Sequence, residues 1–219
     1  MTMREKKYIL FDLDGTISDP KVGMTKSIQY SLRTFGIEVA NMDTLTPFIG
    51  PPLRESYKEF YGFNEEEVEK AVAKYREYFT GRGIFENTLY PDMDILLETL
   101  YKRGKTLLVA TSKPMMYAKK ILEYFAIDTY FSFIAGSELN GERSIKSEVI
   151  QYALANMGIA EIEKAVMIGD RKHDIIGAKE VGMDNIGVLY GYGDLPELQG
   201  AGATVVVESV EELRALLVG

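Results

Sequence analysis

The sequence predicts an α/β fold: a parallel sheet with helices on both faces, plus a small all-helical segment inserted after the first strand. Three observations predict it. From about residue 91 onward, short apolar runs alternate with stretches of helical spacing. Those runs are near-continuously apolar, which is the pattern of strands buried on both faces. Residues 17–84 carry helical periodicity alone, directly after a first apolar run at 8–11.

Tyr8, Ile9, Leu10 and Phe11 are β-rich and end in Asp12-Leu13-Asp14-Gly15, so they read as a buried strand feeding a loop. Residues 21–35, 51–61 and 64–80 have helical spacing, with Met24, Ile28, Leu32 and Phe35 on one stripe. Asn64 before Glu65, Glu66 and Glu67 reads as an N-cap with an acidic first turn, and Gly81 and Gly83 mark a break. Tyr75, Tyr78 and Phe79 are expected in the core of this segment. A helix over 91–103 ends at Gly104, a strand covers 106–110, and a helix starts from Pro114, where proline suits a first turn. Residues 133–135 read as a strand. Ser144 is the expected cap of a helix that runs to Met157 and stops at Gly158. A strand over 165–168, a helix to Val181, strands over 186–189 and 204–207 and a helix over 209–217 complete the chain. Gly191 and Gly193 read as a loop, because Pro196 stands where a dinucleotide fingerprint needs glycine and no helix is expected to open there.

The charge balance narrows the function. With a net charge of −8, the chain gains nothing from nucleic-acid phosphate electrostatics, so no nucleic acid polymer is expected as partner. An anionic substrate must be attracted locally, by a metal or a few placed cations. The absence of cysteine excludes disulfides, thiol catalysis and Cys-ligated metals. No signal peptide or membrane span is visible, so a cytoplasmic protein that does not engage a membrane is expected.

In an open parallel sheet, ligands bind beyond the carboxyl ends of the strands. Three predicted strands end in polar clusters: Asp12 with Asp14, Thr111 with Ser112 and Lys113, and Asp170 with Asp174. Lys146 sits near the start of a helix. Asp12 and Asp14 are two residues apart, so in extended chain their side chains face the same way. With Asp170 they form a hard-oxygen set suited to Mg2+. A carboxylate can attack phosphorus to form an aspartyl-phosphate, and Lys146 and the Thr111 hydroxyl can stabilise charge on the phosphoryl oxygens. Asp14 is placed to act as general acid, then base. Taken singly, each cluster has a plainer reading: a turn, a helix cap, a solvated lysine or an acidic first turn.

Together these motifs resemble the haloacid dehalogenase-like superfamily. Asp12-Leu13-Asp14-Gly15-Thr16 looks like its first motif, Leu107 to Thr111 its second, Lys146 its third, and Gly169-Asp170-Arg171-Lys172-His173-Asp174 its fourth. They occur in family order and span the core, which the resemblance makes Rossmann-like. It implies Asp12 as nucleophile and metal ligand, and Asp14 as acid/base that also binds metal through its backbone carbonyl. Asp170 becomes the third protein ligand and Asp174 a supporting carboxylate. Thr111, Ser112 and Lys146 become phosphate-binding, and Mg2+ the cofactor. His173, the single histidine, is expected beside the site, positioning Asp174.

The helical insert resembles the cap of the phosphoglycolate phosphatase-like branch, with the core over residues 1–16 and 85–219 and the cap over 17–84. Three stretches are similar to a 5′-nucleotidase-like or phosphoglycolate phosphatase-like subgroup: Phe48-Ile49-Gly50-Pro51-Pro52-Leu53, Ala110-Thr111-Ser112-Lys113-Pro114, and Gly187-Val188-Leu189-Tyr190-Gly191-Tyr192-Gly193. Arg54 and, less strongly, Lys113 are candidate cap cations for a second anionic group of substrate; for Arg54 a surface arginine at a helix start is as good a reading. The expected function is a Mg2+-dependent phosphomonoester hydrolase acting on a small phosphorylated metabolite, monomeric by default with a dimer left open. A phosphomutase of the β-phosphoglucomutase kind is the alternative, and the Gly-Pro-Pro-Leu turn favours the phosphatase. A non-catalytic binding module is the second alternative, disfavoured because none of Asp12, Asp14, Thr111, Lys146 and Asp170 is replaced. No nucleoside triphosphate site is visible, which disfavours a kinase.

Overall fold

The structure, a computed structural model, describes Met1–Gly219. It divides into two compact units, Met1–Asp19 with Leu89–Gly219, and Pro20–Thr88. The first is α/β. Strand β1 (Tyr8–Phe11) leads into β2 (Ser18–Asp19), and the chain returns to this unit through β3 (Thr88–Leu89). Helix α4 (Met93–Lys102), strand β4 (Thr106–Pro114), α5 (Met115–Tyr124), β5 (Phe131–Ser137), α6 (Lys146–Asn156), β6 (Ala165–Gly169), α7 (Lys172–Glu180), β7 (Asp184–Val188), α8 (Leu195–Ala201), β8 (Val205–Val207) and α9 (Val210–Val218) follow. Six strands form one parallel sheet in the order β5-β4-β1-β6-β7-β8.

The sheet explains the apolar runs. β1 lies between β4 and β6, with Leu10 opposite both Leu108 and Met167. Ile9, Leu10 and Phe11 are fully buried, so neither face of this strand tolerates a polar side chain. On one face Leu10, Leu108 and Met167 pack with Val149, Ile150 and Ala153 of α6. Truncating Leu10 to alanine would cost about 2–5 kcal/mol. The order reverses at β1: chain connections run one way to β4 and the other way to β6. That reversal opens a crevice at the carboxyl ends of these strands.

The second unit holds α1 (Lys21–Arg33), α2 (Leu53–Tyr61) and α3 (Glu65–Gly81), joined by 3-10 turns at Met42–Phe48 and Gly83–Phe85. Met24, Ile28 and Leu32 of α1 are buried. Phe35 falls beyond the helix end and packs its ring on Phe63 at 4.6 Å. Asn64 caps α3 in a full capping box: its side chain accepts from Glu67 N–H at 3.0 Å, and Glu67 accepts from Asn64 N–H at 2.9 Å. Tyr75 and Phe79 are buried and their rings stack at 5.2 Å; Tyr78 is half-buried, and its hydroxyl donates to Glu86.

Several elements depart from expectation. The compact helical unit spans Pro20–Thr88, against the expected 17–84; at its start Ser18 and Asp19 are extended as β2. β4 runs on to Pro114, which pairs with Ser137 and precedes α5 in extended geometry, so the proline ends a strand instead of opening a helix. Ser144 does not cap α6. Ile145 occupies that position without a side-chain cap, and the chain enters the helix at Lys146. A helix does open after Gly193: Asp194 caps α8 by accepting from Glu197 N–H at 2.8 Å, and Pro196 sits in its first turn. No helix is long and apolar enough to cross a membrane.

Candidate active site

Asp12 and Asp14 follow β1 directly. The Asp12 N–H donates to the Ile168 carbonyl at 2.9 Å, which holds the loop against β6 as it leaves the sheet. Asp12 Oδ1 accepts from Leu13 N–H at 2.7 Å and meets Lys146 Nζ at 3.0 Å. Lys146, the first residue of α6, also reaches Asp174 Oδ1 at 2.8 Å and donates to the Ala110 carbonyl at 3.1 Å. One lysine thus joins the end of β1 and the middle of β4 to α7. Asp174 lies in the first turn of α7 and accepts from Arg171 N–H at 3.1 Å. It is held by that amide and Lys146, and His173 is half-buried beside it. Burial, then the cations Arg171, Lys172 and Lys146, push the His173 imidazole below its ordinary range.

Asp170 follows β6. Its Oδ2 accepts from Tyr192 N–H at 2.8 Å and its Oδ1 from the Thr16 hydroxyl at 3.4 Å. Gly15 lets the loop pass this carboxylate: it has φ +82, and a Cβ there would lie 2.2 Å from Asp170 Oδ2. Asp14 turns its carboxylate elsewhere, with Oδ2 2.5 Å from Lys113 Nζ. Its Oδ1 is buried with no hydrogen-bond partner.

Thr111 is buried on β4, and its hydroxyl accepts from Lys113 N–H at 3.3 Å. Ser112 is half-buried, and its carbonyl accepts from the Ser137 hydroxyl at 2.8 Å, tying β4 to β5. Lys113 belongs to the α/β unit, not to the helical unit; it is buried where it meets Asp14. Arg54 lies in the helical unit, where its guanidinium donates to both oxygens of Glu69 at 2.6 and 3.0 Å. A guanidinium fork engaged by a neighbouring carboxylate is the surface reading of that residue.

The cluster buries four carboxylates, Asp12, Asp14, Asp170 and Asp174, against two ammoniums, Lys113 and Lys146. Carboxylates thus outnumber ammoniums by two. Desolvation, then the neighbouring Asp174 and Asp12, hold Asp170 well above the usual carboxylate range. Burial raises Asp174 to about 6 despite the opposing pull of Lys146. Burial also raises Asp14, with Lys113 pulling it back. For Lys146 burial acts downward, but Asp12 and Asp174 outweigh it and keep the ammonium charged.

These features fit a divalent cation. Asp12, Asp170 and Asp174 each offer a carboxylate oxygen, all within 4.8 Å of one another. The donors are hard oxygens, the set is buried, and a cation relieves the repulsion that otherwise retains protons on it. Sequence reasoning missed Lys113 as the partner of Asp14, and Thr16 and Tyr192 as the groups that hold Asp170. The signal for Tyr192 was present in the pair Gly191 and Gly193, which reads as loop until the backbone is seen against Asp170.

The chain resembles known proteins over nearly all its length. The haloacid dehalogenase-like hydrolase family model matches residues 9–188. A 5′-nucleotidase from Pseudomonas aeruginosa is 44% identical over 209 residues, 95% of this chain and 94% of that protein. The tyrosine-protein kinase PtkA of Mycobacterium tuberculosis is 36% identical over 213 residues, 96% of this chain and 72% of that one. Among solved structures, a predicted phosphatase from Clostridium acetobutylicum superposes with a TM-score of 0.94 at 46% identity, covering 96% of this chain and 97% of its own. The family match and the phosphatases among these relatives identify the chain as a member of the haloacid dehalogenase-like hydrolases, and within them as a phosphatase.

Proposed function

We propose that the chain is a Mg2+-dependent phosphomonoester hydrolase that works through an aspartyl-phosphate on Asp12. The observation that carries this is the division of labour between Asp12 and Asp14. Asp12 is paired with a charged lysine, while Asp14, two residues on, is desolvated and raised, with one oxygen buried and unpartnered. A desolvated, raised carboxyl two residues from a lysine-paired one is the arrangement that acid and nucleophile require.

In the first step an Asp12 carboxylate oxygen attacks phosphorus, and the bond from phosphorus to the ester oxygen breaks. That oxygen leaves with the electron pair and takes the proton of Asp14. In the second step Asp14, now ionised and stabilised by Lys113, takes a proton from water. The water oxygen bonds to phosphorus, and the acyl-phosphate bond breaks to return the Asp12 carboxylate and release inorganic phosphate. Lys146 and Thr111 stabilise the phosphoryl oxygens. Asp12 and Asp170 would hold Mg2+, with the Asp14 backbone carbonyl as a further donor and with Asp174, expected only to support the site, offering a ligand oxygen as well. When bound there, the ion would supply electrostatic stabilisation of the phosphoryl group.

A nucleoside 5′-monophosphate is the substrate class favoured by the Pseudomonas relative, with phosphoglycolate next; a phosphoglycolate phosphatase from Colwellia psychrerythraea is 26% identical over 221 residues. The helical unit is read as a cap. The test is phosphate release from nucleoside 5′-monophosphates, phosphoglycolate, sugar phosphates and phosphotyrosine, with Mg2+ or EDTA, and with Asp12→Asn. Release that needs Mg2+ and drops by three orders of magnitude or more in Asp12→Asn is expected. Release that survives in Asp12→Asn would remove Asp12 as nucleophile. Interconversion of sugar phosphates without free phosphate would make the enzyme a mutase.

A further inference from the structure

Residues 190–193 are closed tightly around Asp170. A Cβ on Gly191 would lie 2.3 Å from the Gly15 carbonyl oxygen and 2.4 Å from Asp170 Cβ, and one on Gly193 would lie 2.0 Å from the Asp170 carbonyl oxygen. Backbone therefore packs on backbone here, and the Tyr192 N–H reaches Asp170 Oδ2 at 2.8 Å. The two tyrosines of the segment reach the chain as it leaves the α/β unit. Tyr190 donates its hydroxyl to the Thr16 carbonyl at 3.1 Å, and Thr16 in turn donates to Asp170 Oδ1. Tyr192 donates its hydroxyl to Asp19, the last residue before the helical unit. The returning chain is reached as well: the Tyr90 ring packs edge-on against Tyr190 at 4.8 Å, and Tyr90 N–H donates to the Ile17 carbonyl at 3.2 Å. Burial keeps the hydroxyls of Tyr90, Tyr190 and Tyr192 protonated well past their ordinary range, so they stay donors.

We propose that Tyr192 is a positioning residue: its amide orients the Asp170 carboxylate, and its hydroxyl, anchored on Asp19, fixes that amide and ties Asp170 to the outgoing linker strand β2. The physical reason is geometric. A loop amide holds a carboxylate only as firmly as the loop itself is held, and the glycines on either side of Tyr192 give the backbone no side-chain anchor of its own. The bond to Asp19 supplies that anchor. Groups one step removed from a metal ligand commonly change affinity by 10–100-fold when removed. The proposal rests on the reading of Asp170 as a Mg2+ ligand.

The test is a double-mutant cycle read by Mg2+ titration calorimetry, without substrate. The proteins are the intact chain, Tyr192→Phe, Asp19→Ala and the double variant, each with its melting curve. Tyr192→Phe keeps the ring and the amide and removes only the hydroxyl. Each single variant is expected to weaken Mg2+ binding by roughly tenfold. The double variant is expected to be no weaker than the poorer single one, since both remove the same bond. Unchanged affinity in Tyr192→Phe, or losses that multiply in the double variant, would overturn the proposal while leaving Asp170 a ligand. Failure of the unaltered protein to bind Mg2+ would overturn both. If Asp19→Ala does not fold, Tyr192→Phe alone decides the matter.

Discussion

Replacing Asp170 by asparagine is expected to stabilise the metal-free protein while abolishing its response to Mg2+. The carboxylate oxygens of Asp12, Asp170 and Asp174 lie within 4.8 Å of one another. Two unit charges at that separation repel by about 3 kcal/mol at an effective dielectric of ~20. Asp12 and Asp174 share Lys146, so close to one such repulsion on Asp170 remains uncompensated. Asparagine keeps an oxygen for the Tyr192 amide but gives up the charge-assisted strength of the two bonds to Asp170, a loss of about 1 kcal/mol. The net gain is about 2 kcal/mol, or a Tm rise of about 4–8 °C for a chain of this size. The sign with pH follows from the raised Asp170. The folded protein holds this proton more tightly than the unfolded chain does, so the wild type loses stability as pH rises through the folded value. The advantage of the variant should therefore be smallest near pH 4 and larger at pH 8. Thermal melts at both pH values, with EDTA and with excess Mg2+, make the test. Mg2+ should raise the Tm of the wild type and leave the variant unmoved. A variant that melts below the wild type at pH 8 in EDTA, or a shift equal at both pH values, would refute the charge argument.

Lys113→Met removes the cation that pulls Asp14 downward, so the limb of the pH–rate profile that reports Asp14 should move to higher pH; an unmoved profile in steady-state assays would separate Lys113 from the acid. Asn64→Ala breaks the capping box of α3 and should cost the helical unit about 1 kcal/mol, read as a lower midpoint in urea with an unchanged m value.

What was legible in the sequence followed from burial and from local chemistry. β1 was readable because a strand between two others is apolar throughout, and α3 because Asn64 and Glu67 announce its start within four residues. The convergence of Asp12, Lys146, Asp170 and Asp174 was also readable, since a parallel sheet brings the carboxyl ends of its strands to one edge. α8 was missed because a fingerprint argument about Gly191 and Gly193 hid a plain N-cap at Asp194, with proline in a position that favours a first turn. Ser144 misled for the opposite reason: a residue with a strong capping preference lies one position too early, and α6 begins uncapped where Lys146 enters the site. The pairing of Lys113 with Asp14 had no local signal, because 99 residues of chain separate two groups that meet only when β4 is laid beside β1.

The two ends of the same sheet handle buried charge differently, and the contrast supports the proposed role of the polar cluster. At the amino edge Lys6, just before β1, is fully buried; it donates to the Glu163 carbonyl at 2.6 Å and pairs with Asp184 at the start of β7. There one ammonium meets one carboxylate and one carbonyl, and Asp184 keeps part of its surface in water. That is how a fold accommodates a buried charge: balanced, hydrogen-bonded and partly hydrated. The carboxyl edge is hydrogen-bonded but neither balanced nor hydrated. It buries four carboxylates against two lysines, leaves Asp14 Oδ1 without a partner and holds Asp170 on an amide and a hydroxyl alone. Desolvating an ion costs several kcal/mol, and apolar side chains at these positions would serve the core better. An unbalanced set kept at that cost supports the proposed Mg2+ site, since a divalent cation there would offset the excess negative charge.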